Sequence, residues 1–129
     1  GQDIVEQAQA TGGLDDPDYI QARATSLRLA GPEGIDRLMR QHRLAALIAP
    51  TTSRAWTNDP RNEDDMLGSA GQLAAVAGYP HLTVPMGFDR GMPVGLSFIG
   101  GKWDDARILS LGYAFEQATQ ARRPPPPRP

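Results

Sequence analysis

Few side chains of this sequence have the type and spacing needed for acid, base or nucleophilic chemistry. His81 could act as a general base, because an imidazole titrates near neutral pH. The pattern places Ser69 at a helix start, Ser97 inside a strand and Ser110 inside a helix. None of these serines lies in the G-x-S-x-G turn that exposes a nucleophile. We therefore predict that His81 is a structural residue at the start of a strand.

Lys102 is the only lysine, so it limits which catalytic schemes can be drawn. It lies in "GLSFIGGKW", which is similar to a phosphate-binding loop, but one residue too many separates Gly95 from Gly101. Trp103 also stands where that motif needs Ser or Thr to hold magnesium. Beside a tryptophan and two aspartates Lys102 is expected to stay charged, whereas a lysine base must lose its proton. We predict a tight turn here and no catalytic base.

The acidic residues could bind a cation, but their positions favour other roles. Adjacent carboxylates in a loop, Glu63 to Asp65, are usually solvated, and Asp104 suits the first position of a helix. The sequence therefore predicts no metal, no cofactor and no complete catalytic set within this chain.

Composition excludes several classes of function. A formal net charge of -2 and a pI near 5.6 give no basic surface for nucleic acid. No apolar run approaches the roughly 18 residues of a membrane span. The chain has no cysteine, which suits a reducing compartment. We expect a soluble cytoplasmic protein without a nucleic acid or membrane partner.

Helices and strands alternate along the chain. Asp16 followed by Pro17 is a strong helix start, and Gly31 with Pro32 should interrupt that helix. An apolar run from Leu44 to Pro50 predicts a strand buried on both faces. The other predicted helices begin near Asp3, before Ile35, at Ser69, which should cap a helix ending at Gly78, and at Asp104.

Two further strands should form an antiparallel hairpin. They run from Leu82 to Met86 and from Val94 to Gly100, with a connection longer than the two-residue ideal. Pro80 and Pro85 cannot donate to a ladder, so they indicate a strand end or a bulge. The fold class is thus α/β, a small mixed sheet of about three strands packed with helices. Its exposed strand edges suggest a part of something larger and allow a homo-oligomer.

Four stretches in this order resemble the C-terminal portion of the amidase signature family. They are "LAALIAPT", "AVAGYPHLTVPMG", "MPVGLSFIGGKWDDARILSLGYAFEQAT" and the closing proline-rich end. The resemblance implies that residues 1–121 are the C-terminal part of an amidase signature domain with a partial α/β/α fold. Residues 122–129 form a proline-rich tail.

The resemblance also implies a function. Members of the family hydrolyse amides with a Ser, cis-Ser, Lys triad that lies in their N-terminal portion, and nothing in this chain matches that triad. We therefore expect a scaffold and substrate-pocket part whose partners are the N-terminal catalytic portion of the same enzyme and a small amide substrate. Ligands in α/β sheets bind beyond the carboxyl ends of strands, so Thr51, Thr52 and Trp56 are the predicted substrate-binding residues.

Two alternatives remain open at this point. The chain could be a non-catalytic binding or interaction module that kept the scaffold. It could also be part of an A-type subunit of a glutamyl-tRNA amidotransferase, against which the acidic run from Glu63 to Asp65 argues weakly, because such a run would repel RNA.

Overall fold

A computed structural model describes residues 1–56 and 68–125 of the chain. The acidic run from Glu63 to Asp65 and the end of the proline-rich tail lie outside these residues. The described elements, in chain order, are helices α1 (Asp3–Gln9), α2 (Pro17–Ala30) and α3 (Asp36–His42), strand β1 (Leu47–Pro50), helix α4 (Gly71–Ala77), strands β2 (His81–Asp89) and β3 (Met92–Ile99), and helix α5 (Asp105–Thr119). None of these helices is long and apolar enough to cross a bilayer.

The three strands form one sheet with the order β1-β3-β2. This confirms the predicted α/β class, the small sheet and the hairpin. Both pairings of β3 are antiparallel, with Ala49 and Thr83 on either side of Ser97. Strand β3 is therefore the central strand of the described sheet, and β1 and β2 are its edges.

The β2–β3 hairpin is longer and tighter than the sequence predicted. Its strands extend to Asp89 and from Met92, so only Arg90 and Gly91 form the turn. The predicted longer loop is wrong. Both turn residues have positive φ, 50° and 81°, as a two-residue hairpin turn of type I′ requires. The predicted bulge is confirmed, since the register shifts just after Pro85.

The two faces of the sheet carry separate apolar clusters. Helix α5 covers one face, where Ile108 packs with Phe98 and other residues of the two hairpin strands, including Val84 and Leu96. The opposite face is covered near Ile99 by Ala74 of α4 and by Ile35. Because side chains alternate along a strand, Ser97 lies on the same face as Ile99, beyond the edge of that second cluster.

Several predicted helix ends are confirmed and two are corrected. Asp16 caps α2 by accepting a 2.8 Å hydrogen bond from the amide of Asp18, and Gly78 ends α4 with φ of 70°. Gly31 and Pro32 do not break the chain's helical path, because a single π-helical turn, Gly31–Ile35, joins α2 directly to α3. Asp104 stands at the start of α5, but its side chain makes no cap hydrogen bond.

Ser69 was predicted to be the N-cap residue of α4, but it lies one residue before the N-cap position. Its hydroxyl accepts a 3.3 Å hydrogen bond from the amide of Gly71, while Ala70 occupies the cap position. The side chain still satisfies one of the free amides at the helix start.

Strand β1 is shorter and more exposed than the sequence predicted. It begins at Leu47 instead of Leu44, and Ile48 is 64% exposed. The expectation of burial on both faces therefore fails within the described residues. The reason is that β1 is an edge strand here, and helix α5 reaches β2 and β3 instead.

Tyr79 connects α4 to α3 through a hydrogen bond. Its hydroxyl donates to Oδ2 of Asp36 at 2.8 Å, across 43 residues of sequence. Burial, followed by this hydrogen bond to a carboxylate, raises the pKa of the Tyr79 phenol above its ordinary value. The ring also lies against Gly31, where a Cβ atom would come within 3.0 Å of the hydroxyl.

Substituting Tyr79→Phe should lower the free energy of unfolding by about 1 kcal/mol at neutral pH. Because the phenol pKa is higher in the folded state than in the unfolded state, its contribution is fully present below about pH 10 and is lost as pH rises through the folded value. Urea unfolding from pH 7 to 11 should therefore show a steeper loss of stability in the wild type than in the variant. Tyr113→Phe, at a site that is 66% exposed, is the control. Parallel losses in wild type and Tyr79→Phe would contradict this assignment.

Candidate functional site

A chain of hydrogen-bonded side chains crosses all three strands on one face of the sheet. His81 Nε2 lies 2.7 Å from Ser97 Oγ, which lies 2.9 Å from Thr51 Oγ1, just after the end of β1. Thr51 Oγ1 is in turn 3.3 Å from Thr83 Oγ1. The pairing of Thr83 with Ser97 and the two-residue periodicity of strands bring these groups to the same face. We call these four residues the polar chain.

Two glycines leave the space that the polar chain occupies. A Cβ atom on Gly95 would lie 2.8 Å from Thr51 Oγ1 and 2.7 Å from Thr83 Cγ2. A Cβ atom on Gly71 would lie 3.2 Å from Nδ1 of His81, at the start of α4. Only residues without a side chain allow the imidazole and the two threonines to approach the backbone this closely.

Either tautomer of His81 satisfies the contact with Ser97. Nε2 donates to Ser97 Oγ when it carries the ring proton, and it accepts from Ser97 Oγ when Nδ1 carries that proton. The Thr51 hydroxyl bridges those of Ser97 and Thr83, and each of these hydroxyls can donate or accept. The contact between His81 and Ser97 therefore does not by itself identify a general base.

Ser97 is not placed to act as a nucleophile, although it lies beside a histidine. It is fully buried, with 0% of its surface exposed, in the middle of the central strand. A substrate could not reach its oxygen without opening the sheet. The prediction that no nucleophile accompanies His81 did not foresee this contact with Ser97. The burial of Ser97 supports the prediction that His81 is a structural residue.

An open groove lies where β1 ends and the β2–β3 hairpin turns. Its volume is about 670 Å³. One wall comes from the end of β1 and the segment after it, and the other comes from the hairpin beyond the bulge. The lining residues are Pro50, Thr52, Ser53, Arg54, Met86, Gly87, Phe88, Asp89 and Val94. We call this space the hairpin groove.

The hairpin groove combines an apolar lining with one ion pair. Met86 and Phe88 are 38% and 42% exposed there, which is high for large apolar side chains. Arg54 Nη1 lies 3.5 Å from Oδ2 of Asp89, and both side chains are about half exposed to solvent. Such a combination of apolar surface and a few polar groups is typical of small-molecule sites.

The predicted substrate-binding residues occupy three different settings. Thr52 lines the hairpin groove, and its hydroxyl donates a 3.1 Å hydrogen bond to the carbonyl of Gly68. Thr51 lies one residue away in the polar chain. Trp56 is 36% exposed and does not line the groove. Arg54 and the hairpin residues were not predicted, because the predicted strand ended at Met86 and left Phe88 and Asp89 in the connection that follows it.

Other residues with chemical potential lie apart from the groove. Lys102 is exposed, and its Nζ lies 5.6 Å from the ring centroid of Trp103. Within the part of the chain that the structure describes, no three histidine or acidic side chains cluster in a way that could hold a metal ion.

Comparison with known proteins gives a consistent set of relatives. The family model described as Amidase matches residues 3–109. A probable amidase from Arabidopsis thaliana is 29% identical over 97% of this chain, which corresponds to 21% of that relative. The A-type subunit of the glutamyl-tRNA(Gln) amidotransferase of Desulforudis audaxviator is 46% identical over 63% of this chain and 18% of its own length.

The solved structures include the native peptide amidase from Stenotrophomonas maltophilia. It is 53% identical, with a TM-score of 0.88 over 97% of this chain and 25% of that enzyme. The chain thus spans between about a fifth and a quarter of the length of these relatives.

Substituting Ser97→Ala should lower the free energy of unfolding by about 1–3 kcal/mol, because it leaves His81 and Thr51 without their shared partner. The measurement is urea unfolding followed by circular dichroism. Ser110→Ala is the matched control, since the Ser110 hydroxyl on α5 only donates to the carbonyl of Ala106. Equal effects of the two substitutions would show that the polar chain contributes no stability of its own.

Proposed function

Because this chain belongs to the amidase family, we propose that it forms the C-terminal scaffold and part of the substrate pocket of an amide hydrolase of the Ser/cis-Ser/Lys type. The hydrolysis itself would be carried out by a triad in the N-terminal portion of the same protein. This chain would contribute strands of the sheet and the hairpin groove.

The observation that carries the proposal is the match to peptide amidase. Identity of 53% extends over 97% of this chain, with a TM-score of 0.88. The match covers only 25% of that enzyme, so most of peptide amidase has no counterpart in this chain. The proposed substrate is accordingly a small amide of peptide character.

The chemistry of the described residues supports a non-catalytic role for this part. Ser97 is fully buried beside His81, so a substrate cannot reach its oxygen. Lys102 lies in an exposed turn, far from the buried setting in which a lysine becomes a base. What the described residues do offer is a groove whose apolar lining can bind part of a substrate.

Several large apolar side chains are exposed, which supports the proposal that another part of the protein covers them. Ile48 on the edge strand, Leu73 and Val76 on α4, and Leu109 on α5 are each more than about two fifths exposed. Surface of this kind marks an interface when it is contiguous with a strand edge. We propose that the N-terminal portion of the same protein covers it. A homo-oligomer and a cytoplasmic location also remain predictions.

A second candidate function is supported by the amidotransferase relatives. The relative from Desulforudis audaxviator is 46% identical, although over only 63% of this chain. The protein would then release ammonia from glutamine for a partner subunit instead of hydrolysing a peptide amide. The longer match to peptide amidase, at higher identity, favours the first candidate.

The test compares two proteins: the 129-residue chain alone and the same chain joined to its natural N-terminal portion. We expect the longer protein to release ammonia from N-acetyl-leucine amide and the isolated chain to release none above buffer, because the nucleophile and base are absent from it. Ammonia release from glutamine but not from N-acetyl-leucine amide would favour the amidotransferase function. Turnover by the isolated chain that disappears in Ser97→Ala would refute the proposal.

A further inference from the structure

We propose that the hairpin groove accepts an uncharged apolar side chain of the amide substrate, and that the Arg54–Asp89 ion pair determines this preference. The inference rests on the proposed function and deepens it by naming the class of side chain that is bound. Arg54 and Asp89 are specificity-determining residues in this scheme, and they take no part in bond cleavage.

The apolar lining is the first argument. Met86 lies in the bulge, Phe88 and Val94 come from the hairpin beyond it, and Pro50 comes from the end of β1. Phe88 and Met86 belong to neither apolar cluster and retain substantial exposure. A substrate side chain that covers these atoms removes apolar surface from water, which favours binding in proportion to the area covered.

The ion pair is the second argument. Arg54 and Asp89 both line the groove, and their charges are 3.5 Å apart. At that distance each charge largely cancels the field of the other, so the pair itself presents almost no net charge to a ligand. A cationic substrate side chain is attracted by Asp89 and repelled by Arg54. An anionic side chain is attracted by Arg54 and repelled by Asp89.

Two further arginines lie near the groove within the described residues. Arg54 and Asp89 form no other ion pair there. The guanidinium carbon of Arg123 lies 5.4 Å from the ring centroid of Phe88, but Arg123 does not line the groove. Arg90 stands in the hairpin turn next to Asp89 and is also outside the lining.

The two charges are held by different elements, which makes them separable by mutation. Asp89 is the last residue of β2, beside the tight turn. Arg54 follows a segment anchored by Thr51 in the polar chain and by the hydrogen bond from Thr52 to Gly68. Because both side chains are about half exposed, removing either one leaves no buried group without a partner.

The experiment uses the full-length protein and three probes that differ only in side chain: the N-acetyl amides of norleucine, lysine and glutamate. Binding is measured by calorimetry and turnover by ammonia release, giving Kd and kcat/KM for each probe. The variants are Arg54→Ala, Asp89→Ala and the exchanged pair Arg54→Asp with Asp89→Arg. Arg90→Gln is the matched control, because it removes a nearby arginine charge outside the groove.

We expect the wild type to prefer norleucine. Arg54→Ala, which leaves Asp89 alone, should improve the lysine probe relative to norleucine by roughly two- to fivefold and weaken the glutamate probe by a similar factor. Asp89→Ala should shift the two charged probes in the opposite directions. The exchanged pair should restore the wild-type order, and Arg90→Gln should keep it.

The outcomes separate this inference from the proposed function. All variants could hydrolyse the amides with the same ratio of kcat/KM between the charged probes and the norleucine probe. That result would overturn the inference and leave the proposed function intact. Absence of turnover, with binding ratios that still shift as expected, would refute the proposed function but keep the groove as a side-chain pocket. Failure of all three probes to bind would overturn the inference. A shift in Arg90→Gln as large as that in Arg54→Ala would also overturn it, because the effect would then be one of general charge.

Discussion

The structure depends on the position of strand β3, which has a hydrogen-bonded neighbour on each edge and a covered surface on each face. Alternate side chains of β3 point to opposite faces of the sheet. Leu96 and Phe98 join the cluster beneath α5, while Ser97 and Ile99 point to the opposite side. A buried hydroxyl in the central strand must find partners, and Ser97 finds them on β2 and just after β1. The hydrogen bonds that satisfy this one group therefore also fix the end of β1, from which the groove-lining segment continues.

The contact between a histidine and a serine does not by itself indicate nucleophilic catalysis. In this protein the serine is fully buried in the central strand, between the imidazole of His81 and the hydroxyl of Thr51. The same two residue types can stabilise the fold in one arrangement and catalyse a reaction in another. The deciding feature here is whether a substrate can reach the serine oxygen. The burial of Ser97 indicates a structural role, which agrees with the proposal that the catalytic centre is located elsewhere in the protein.

The exposed apolar side chains of the chain agree with the proposal that the rest of an amidase covers them. Nearly the whole of this chain aligns with peptide amidase, but the aligned part is only about a quarter of that enzyme. An edge strand with Ile48 exposed and helices with exposed leucines are the expected result when neighbouring strands and helices belong to the rest of such an enzyme.

The sequence by itself determined the family, the α/β class, the three strands and several element ends. These follow from local chemistry: Asp16 before Pro17 starts a helix, Gly78 ends one, and Pro85 forces a bulge because it has no amide hydrogen. The tight turn at Arg90 escaped prediction, because a non-glycine residue with positive φ has little local signal. Only the tertiary structure decided that His81 meets Ser97, 16 residues away, and that Arg54 meets Asp89, 35 residues away. Those contacts depend on the strand register after the bulge and on the path of the chain beyond β1, and a shift of one residue would turn each side chain to the other face of the sheet.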